Sequence, residues 1–170
     1  MYETASNFIW LGDGVTLVRS TQADFDFINA HLREADRRET EVFDRGRPDA
    51  LCDMETSWTI RDAGNVVGFI ATMPFADESV MSRRRFLVEL TTGHVWKIKV
   101  KYVRYSRAVL RAVVENALPW VEDFYTLPMK AYAGACRWDE KVLRMRKVRE
   151  IEVEGVPHVL FHITRKEATA

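Results

Sequence analysis

The sequence predicts an α/β fold, a mixed central sheet with helices packed on both faces, in the order β-α-β-β-β-α-β-α-β-β. Three observations carry this expectation. SWTIRDAGNVVGFIATM has two apolar, β-branched runs around Asp62-Ala63-Gly64-Asn65, which is a strong hairpin signal. RFLVELTT is a strand pattern that leads through a connector into RYSRAVLRAVVENALPWVEDF, a stretch with helical periodicity. Strand-like and helix-like segments alternate along the rest of the chain, as a layered sheet with helices requires.

Taken in order, residues 1–14 read as an N-terminal extension closing on the turn Gly12-Asp13-Gly14, and residues 15–170 as a single domain. VTLVRS is a short strand. Thr21 with Asp24 forms an acidic variant of the capping box, and Phe25, Ile28, Leu32 and Ala35 recur at helical spacing. Gly46 and Pro48 break that helix. After the hairpin, a polar connector with Arg83-Arg84-Arg85 reads as a solvated approach to the strand at 86–92. The next helix, from Arg104 to about Leu118, has Val103, Ser106, Leu110, Val113, Ala117 and Val121 as its buried stripe, and Pro119 ends its regular part. Met129 to Ala135 is expected as a strand and Asp139 to Arg149 as a basic helix with Val142, Met145 and Val148 inward. The tail forms a hairpin turning at Glu154-Gly155-Val156-Pro157.

At 170 residues, with 47% apolar and 29% charged content, the chain is long enough to bury one sizeable core. No apolar run approaches a membrane span, and no secretory leader is evident in MYETASNFIW. Cys52 and Cys136 stand far apart and outside any CxxC pair, which favours a reducing compartment. The net charge of zero hides an asymmetry: residues 1–80 hold 7 Lys and Arg against 15 Asp and Glu, and residues 81–170 hold 18 against 10. A chain without net basic charge is a poor candidate for nucleic acid.

The connector GHVWKIKVKYV is the segment with most to say about function. A strand followed by a connector and a helix N-terminus is a natural anion site, because free backbone N–H groups and the helix dipole converge there. Such cradles use glycine, and none lies between Gly93 and Gly134. Lys97, Lys99, Lys101, Arg104 and Arg107 are present instead, and the lysines alternate with Trp96, Ile98, Val100 and Tyr102. Alternation predicts an outward basic stripe, which we expect to be an interaction surface.

From Val15 onward the element order resembles the GNAT (Gcn5-related N-acetyltransferase) fold. VTLVRSTQADFDFINAHLREADRRE is similar to the family's first strand and helix, "GNVVGFI" to its hairpin, and Tyr132 to Val148 to its fifth strand and fourth helix. The family's cofactor loop follows [QR]-x-x-G-x-[GA], whereas HVWKIKVKYVRYSR has no glycine. Its N-x-x-A-x-x-x-Y-x-x-x-G-F pattern, which supplies a tyrosine acid, meets WDEKVLRMRKVREI here, with Met145 at the tyrosine position and Arg149 at the glycine. A thioether cannot donate a proton. Glu89 lies in the strand from which GNAT enzymes present a general base, and is the one catalytic candidate that the resemblance implies.

The second half, with its Val95-Trp96-Lys97 connector and closing VLFHITRK strand, is similar to small GNAT-like internal virion or morphogenesis proteins of short-tailed phages. That resemblance implies a virion-associated, non-catalytic structural protein without cofactor, found in the virion and in host cytoplasm during assembly. Its partners would be other phage virion proteins or further copies of itself, with no membrane association. The alternative is an active acyl-CoA-dependent N-acyltransferase, using acetyl-CoA with lysines on its phosphates as point charges. The structural reading further expects the cleft between the strands at 86–92 and 129–135 to be filled by Trp96, Tyr102 and Met145. His158 and His162 share a strand face, yet no further ligands stand near them in sequence, so no metal is expected.

Overall fold

The computed structural model describes residues 8–31, 57–74, 81–91, 95–98, 104–117, 121–153 and 155–170, with strand residues 71–74, 81–91 and 95–98 described by their backbone. Among these, nine strands form one sheet in the order β1-β2-β3-β4-β5-β7-β9-β8, with β6 paired to β5. The strands are β1 (Phe8–Gly12), β2 (Val15–Arg19), β3 (Ser57–Asp62), β4 (Asn65–Pro74), β5 (Met81–Thr91), β6 (Val95–Ile98), β7 (Asp123–Thr126), β8 (Arg146–Val153) and β9 (Val156–Thr164). The helices are α1 (Gln22–His31), α2 (Ser106–Glu115), α3 (Ala133–Arg137), which runs on into a π-helical turn at Trp138–Val142, and α4 (Arg165–Thr169). Every pairing is antiparallel except β5 with β7.

Burial alternates along β2 and β7, whereas β3, β4 and β9 are buried at consecutive positions, as strands covered on both faces are. Leu17 and Ile60 are fully buried with Val15, Trp58 and Val67 beneath Tyr105, Val109 and Val113 of the α2 segment. Further along the same helix, Leu110 and Val114 pack on Phe124 of β7 and on Val159, Phe161 and Ile163 of β9. One helix therefore spans both halves of the core. Each such fully buried aliphatic or aromatic side chain stabilises the fold by about 1.5–3 kcal/mol. On the opposite face, α1 approaches β3: Asp24 pairs with Arg61, and Ser20 hydrogen-bonds Thr59 across 2.9 Å. The Thr21–Asp24 capping box forms as expected, with the Thr21 amide donating to Asp24 at 2.9 Å and the Asp24 amide to the Thr21 hydroxyl at 3.3 Å.

The expected α/β order is present, with β1, β6 and α4 added to it. Residues 8–12 are not an extension. They pair with β2 across a turn in which Gly12 (φ 113°), Asp13 (φ 51°) and Gly14 (φ 81°) all take positive φ. Asp is among the few side chains that tolerate this region, and glycine reaches it without penalty. The seventh strand lies at Asp123–Thr126 rather than at 129–135. Pro128 offers no N–H to a ladder, and Met129 makes only an isolated bridge to His158. Ala133-Gly134-Ala135 instead opens α3.

The basic helix expected at 139–149 is also relocated. Helical backbone ends at Val142, Arg144 turns left-handed (φ 58°), and Arg146 onward pairs with β9 as an edge strand with a bulge between Lys147 and Arg149. Val148, expected inward, is 51% exposed at that bulge. Pairing with β9 overrode a helical periodicity that was real in the sequence but short.

Candidate active site where two parallel strands part

β5 and β7 pair through only three positions, Met81–Phe124, Ser82–Tyr125 and Arg83–Thr126. β7 then ends, while β5 continues to Thr91 and takes β6 as a partner over Val88–Thr91. Two parallel strands that separate leave backbone groups unpaired between them, which is a ready place for an extended polar ligand. At the closed end of this gap the Thr126 hydroxyl donates to Asp139 across 2.8 Å, and both groups are buried. The Met145 sulfur lies 3.7 Å from the same hydroxyl oxygen.

Met145 is thus part of the core with Leu143, Phe124 and Phe161, at 2% exposure. It stands between the π-helical turn and β8 rather than on a helix. Of the three groups expected to fill the cleft, the side chain of Trp96 and all of Tyr102 lie outside the described residues. The strand named for the far side, 129–135, is replaced by β7.

The N-terminus of α2 has three properties suited to an anion. Tyr105 precedes it without a side-chain cap, and its first turn holds no acidic residue. The hydroxyl of Ser106, the first helical residue, is fully buried and has no hydrogen-bond partner among the described residues. The first N–H groups of a helix lack partners within it and carry the positive end of its dipole.

Of the five basic residues expected as a stripe, Arg104 and Arg107 have described side chains, and these two take different settings. Register places Lys97 opposite Glu89, the general-base candidate, on the β5–β6 ladder. Lys99 and Lys101 lie outside the described residues. Arg104 donates to Asp13 at 2.5 Å and to the Tyr105 hydroxyl at 2.8 Å. Arg107 departs from the expected role: its guanidinium donates to the carbonyls of Leu143 at 2.8 Å and Glu167 at 3.3 Å, tying α2 to the end of the π-helical turn and to α4. Burial, and then the neighbouring charge of Arg144, lower its pKa. It is a structural bracket, because its hydrogen-bonding capacity is turned inward on carbonyls.

The histidines have separate partners. His158 is buried, with Nδ1 2.8 Å from the Val156 carbonyl. His162 contacts Asp123 through Nε2 at 2.7 Å and Arg146 through Nδ1 at 3.1 Å. A guanidinium only donates, so Nδ1 accepts and the proton sits on Nε2 toward Asp123. Sequence reading missed this chain, the Thr126–Asp139 pair and the Asp13–Arg104 contact. Asp13 was legible only as part of a turn, and nothing in its neighbourhood signals a partner 91 residues away.

No protein-family model matches the chain, and no curated protein matches it. Its structure is similar to that of the aminoglycoside acetyltransferase AAC(6')-Ib in complex with ribostamycin and coenzyme A (18% identity, 91% of this chain and 96% of that one, TM-score 0.64). It is also similar to spermidine N-acetyltransferase from Vibrio cholerae in complex with CoA and spermine (10% identity, 94% and 100% covered, TM-score 0.64). A third similar structure is a GNAT-family acetyltransferase from Bacillus anthracis (12% identity, 94% and 99% covered, TM-score 0.61). These findings correct the expectation of a phage virion protein. The neighbours are acetyltransferases, two of them with coenzyme A bound, and they share nine-tenths of this chain's length. Identities this low speak for the scaffold: the chain has the fold of the GNAT acetyltransferases.

Proposed function

We propose that this protein is an acyl-CoA-dependent N-acyltransferase whose cofactor loop departs from the family's glycine pattern. The observation that carries the reading is the parting of β5 and β7 in the same fold as an α2 N-terminus without cap or acidic residue, where Ser106 keeps a buried hydroxyl with no partner among the described residues. The cofactor's diphosphate is an anion and fits this chemistry: backbone N–H groups at the start of α2 and the guanidinium of Arg104 would hold it. When bound, the cofactor supplies an activated acyl thioester and a thiol leaving group.

Glu89 is the residue we assign as general base. It lies on β5 beyond the last position shared with β7 and takes the proton that the acceptor amine must lose before it can attack. No acid stands at Met145. A thiol has a reference pKa of about 8.5, so its thiolate is a competent leaving group near neutral pH and the loss of a side-chain acid slows the reaction without forbidding it. The acceptor we infer is a cationic amine, a polyamine or an aminosugar. Support comes from the ribostamycin and spermine found in the similar structures and from the 15 acidic against 7 basic residues in the first 80 positions.

Calorimetric titration with acetyl-CoA tests the reading. Micromolar binding, followed by release of free thiol with a polyamine or aminoglycoside, is the expected result. Absence of binding at millimolar acetyl-CoA ends it.

A further inference from the structure

The contact between the β1–β2 turn and the start of α2 has a consequence for ligand entry. Arg104, Tyr105 and Asp13 form a closed triangle. The Arg104 Nη2 donates to Asp13 Oδ2 at 2.5 Å and to the Tyr105 hydroxyl at 2.8 Å, and that hydroxyl donates to the same Asp13 oxygen at 2.8 Å. The guanidinium carbon lies 4.9 Å from the centre of the Tyr105 ring. Tyr105 is buried, whereas the side chains of Arg104 and Asp13 are 63% and 70% exposed.

Two residues therefore hold Arg104, and they differ in what they can do. Tyr105 is fixed in the core and keeps the guanidinium at the helix start by its ring and hydroxyl. Asp13 reaches it from an exposed turn, and an exposed ion pair of this kind is weak and screened by salt. A phosphate carries more charge than a carboxylate and accepts the guanidinium fork through two oxygens. The two anions cannot share the arginine without repelling one another.

We propose that Asp13 is an internal counter-anion for Arg104, and that a phosphate bound at the N-terminus of α2 must displace it. The identity of that phosphate as part of coenzyme A rests on the reading in the preceding section. The β1–β2 turn thereby becomes a latch, closed on Arg104 without ligand and released with it.

Calorimetry with coenzyme A on the wild type, Asp13→Asn, Arg104→Gln and the double variant tests this. Asparagine tolerates the positive φ of position 13, so the turn is retained. Asp13→Asn should tighten binding roughly two- to fivefold, the scale of an exposed ion pair. Arg104→Gln should weaken it by about tenfold or more, and in that background the gain from Asp13→Asn should shrink, because it acts through the arginine. Affinity unchanged or reduced in Asp13→Asn overturns the latch while leaving the acyl-CoA reading intact. Failure of all four proteins to bind coenzyme A at millimolar concentration removes both.

Discussion

Thr126 donates its hydroxyl proton to Asp139 across 2.8 Å at the last position where β7 still pairs with β5. Both residues are buried, so a strand end and the π-helical turn are joined by a polar bond within the apolar cluster around Phe124 and Met145. Thr126→Val should cost about 1–3 kcal/mol, because the Asp139 carboxylate then loses a donor it cannot recover from water. Thr126→Ser keeps the hydroxyl and should lose less. Urea unfolding of the two variants measures the difference, and equal stabilities would show the bond to be dispensable.

Arg107 anchors two carbonyls from α2, and its removal should be felt away from that helix. Arg107→Met retains much of the aliphatic stem but abandons the carbonyls of Leu143 and Glu167. We expect a loss of about 1.5–3 kcal/mol, the range for hydrogen bonds to charged groups. Hydrogen exchange should rise in the π-helical turn and α4 while β2–β4 stay protected.

Glu167 closes a capping box with Thr164 at the start of α4. Its pKa is lowered from 4.5, first by the Thr164 backbone hydrogen bond, then by the Thr164 side chain and by the charge of Arg146. A carboxylate depressed in the folded state contributes stability above its ordinary pKa and loses it as pH falls through the folded value. Protection of the α4 amides, taken relative to the intrinsic exchange rate at each pH, should therefore fall on acidification below about 4.5. Glu167→Gln should flatten that dependence, and an unaltered profile in this variant would place the acid sensitivity elsewhere.

Glu89→Gln keeps the size of the side chain and removes its basicity. Under the acyltransferase reading it should lower turnover by about 10²–10⁴-fold, the usual share of a general base, with acetyl-CoA affinity little changed. A variant with full turnover at neutral pH would return Glu89 to a structural role opposite Lys97.

Much of the architecture was readable from residue order alone. The 57–74 hairpin, the Thr21–Asp24 cap, the later part of β5 and the helix beginning near Arg104 all depend on local signals: turn residues, cap spacing and side-chain period. Such signals act within a few residues of one another, so one sequence suffices to find them. β5 begins earlier than expected, at Met81, so Arg83-Arg84-Arg85 lie in the strand, paired with β4, and not in a connector ahead of it. The same locality misled at 129–135, expected as a strand, where Ala133 onward opens α3. It misled again at 146–149, where a three- and four-residue apolar spacing resembled a helix and pairing with β9 made a strand instead.

The site divides along the same line. Sequence by itself determined which chemistry is on hand: an acid in a central strand at Glu89, basic residues ahead of a helix, no glycine in the connector, and a thioether at Met145. Only the tertiary structure decided how those charges are used. Arg107 turns inward to carbonyls, Arg104 is held by an aspartate 91 positions away, and Met145 sinks into the core beside Thr126. The physical reason is that an ion pair or buried hydrogen bond depends on distance in space, and folding alone brings residues as separate as Asp13 and Arg104 within 2.5 Å.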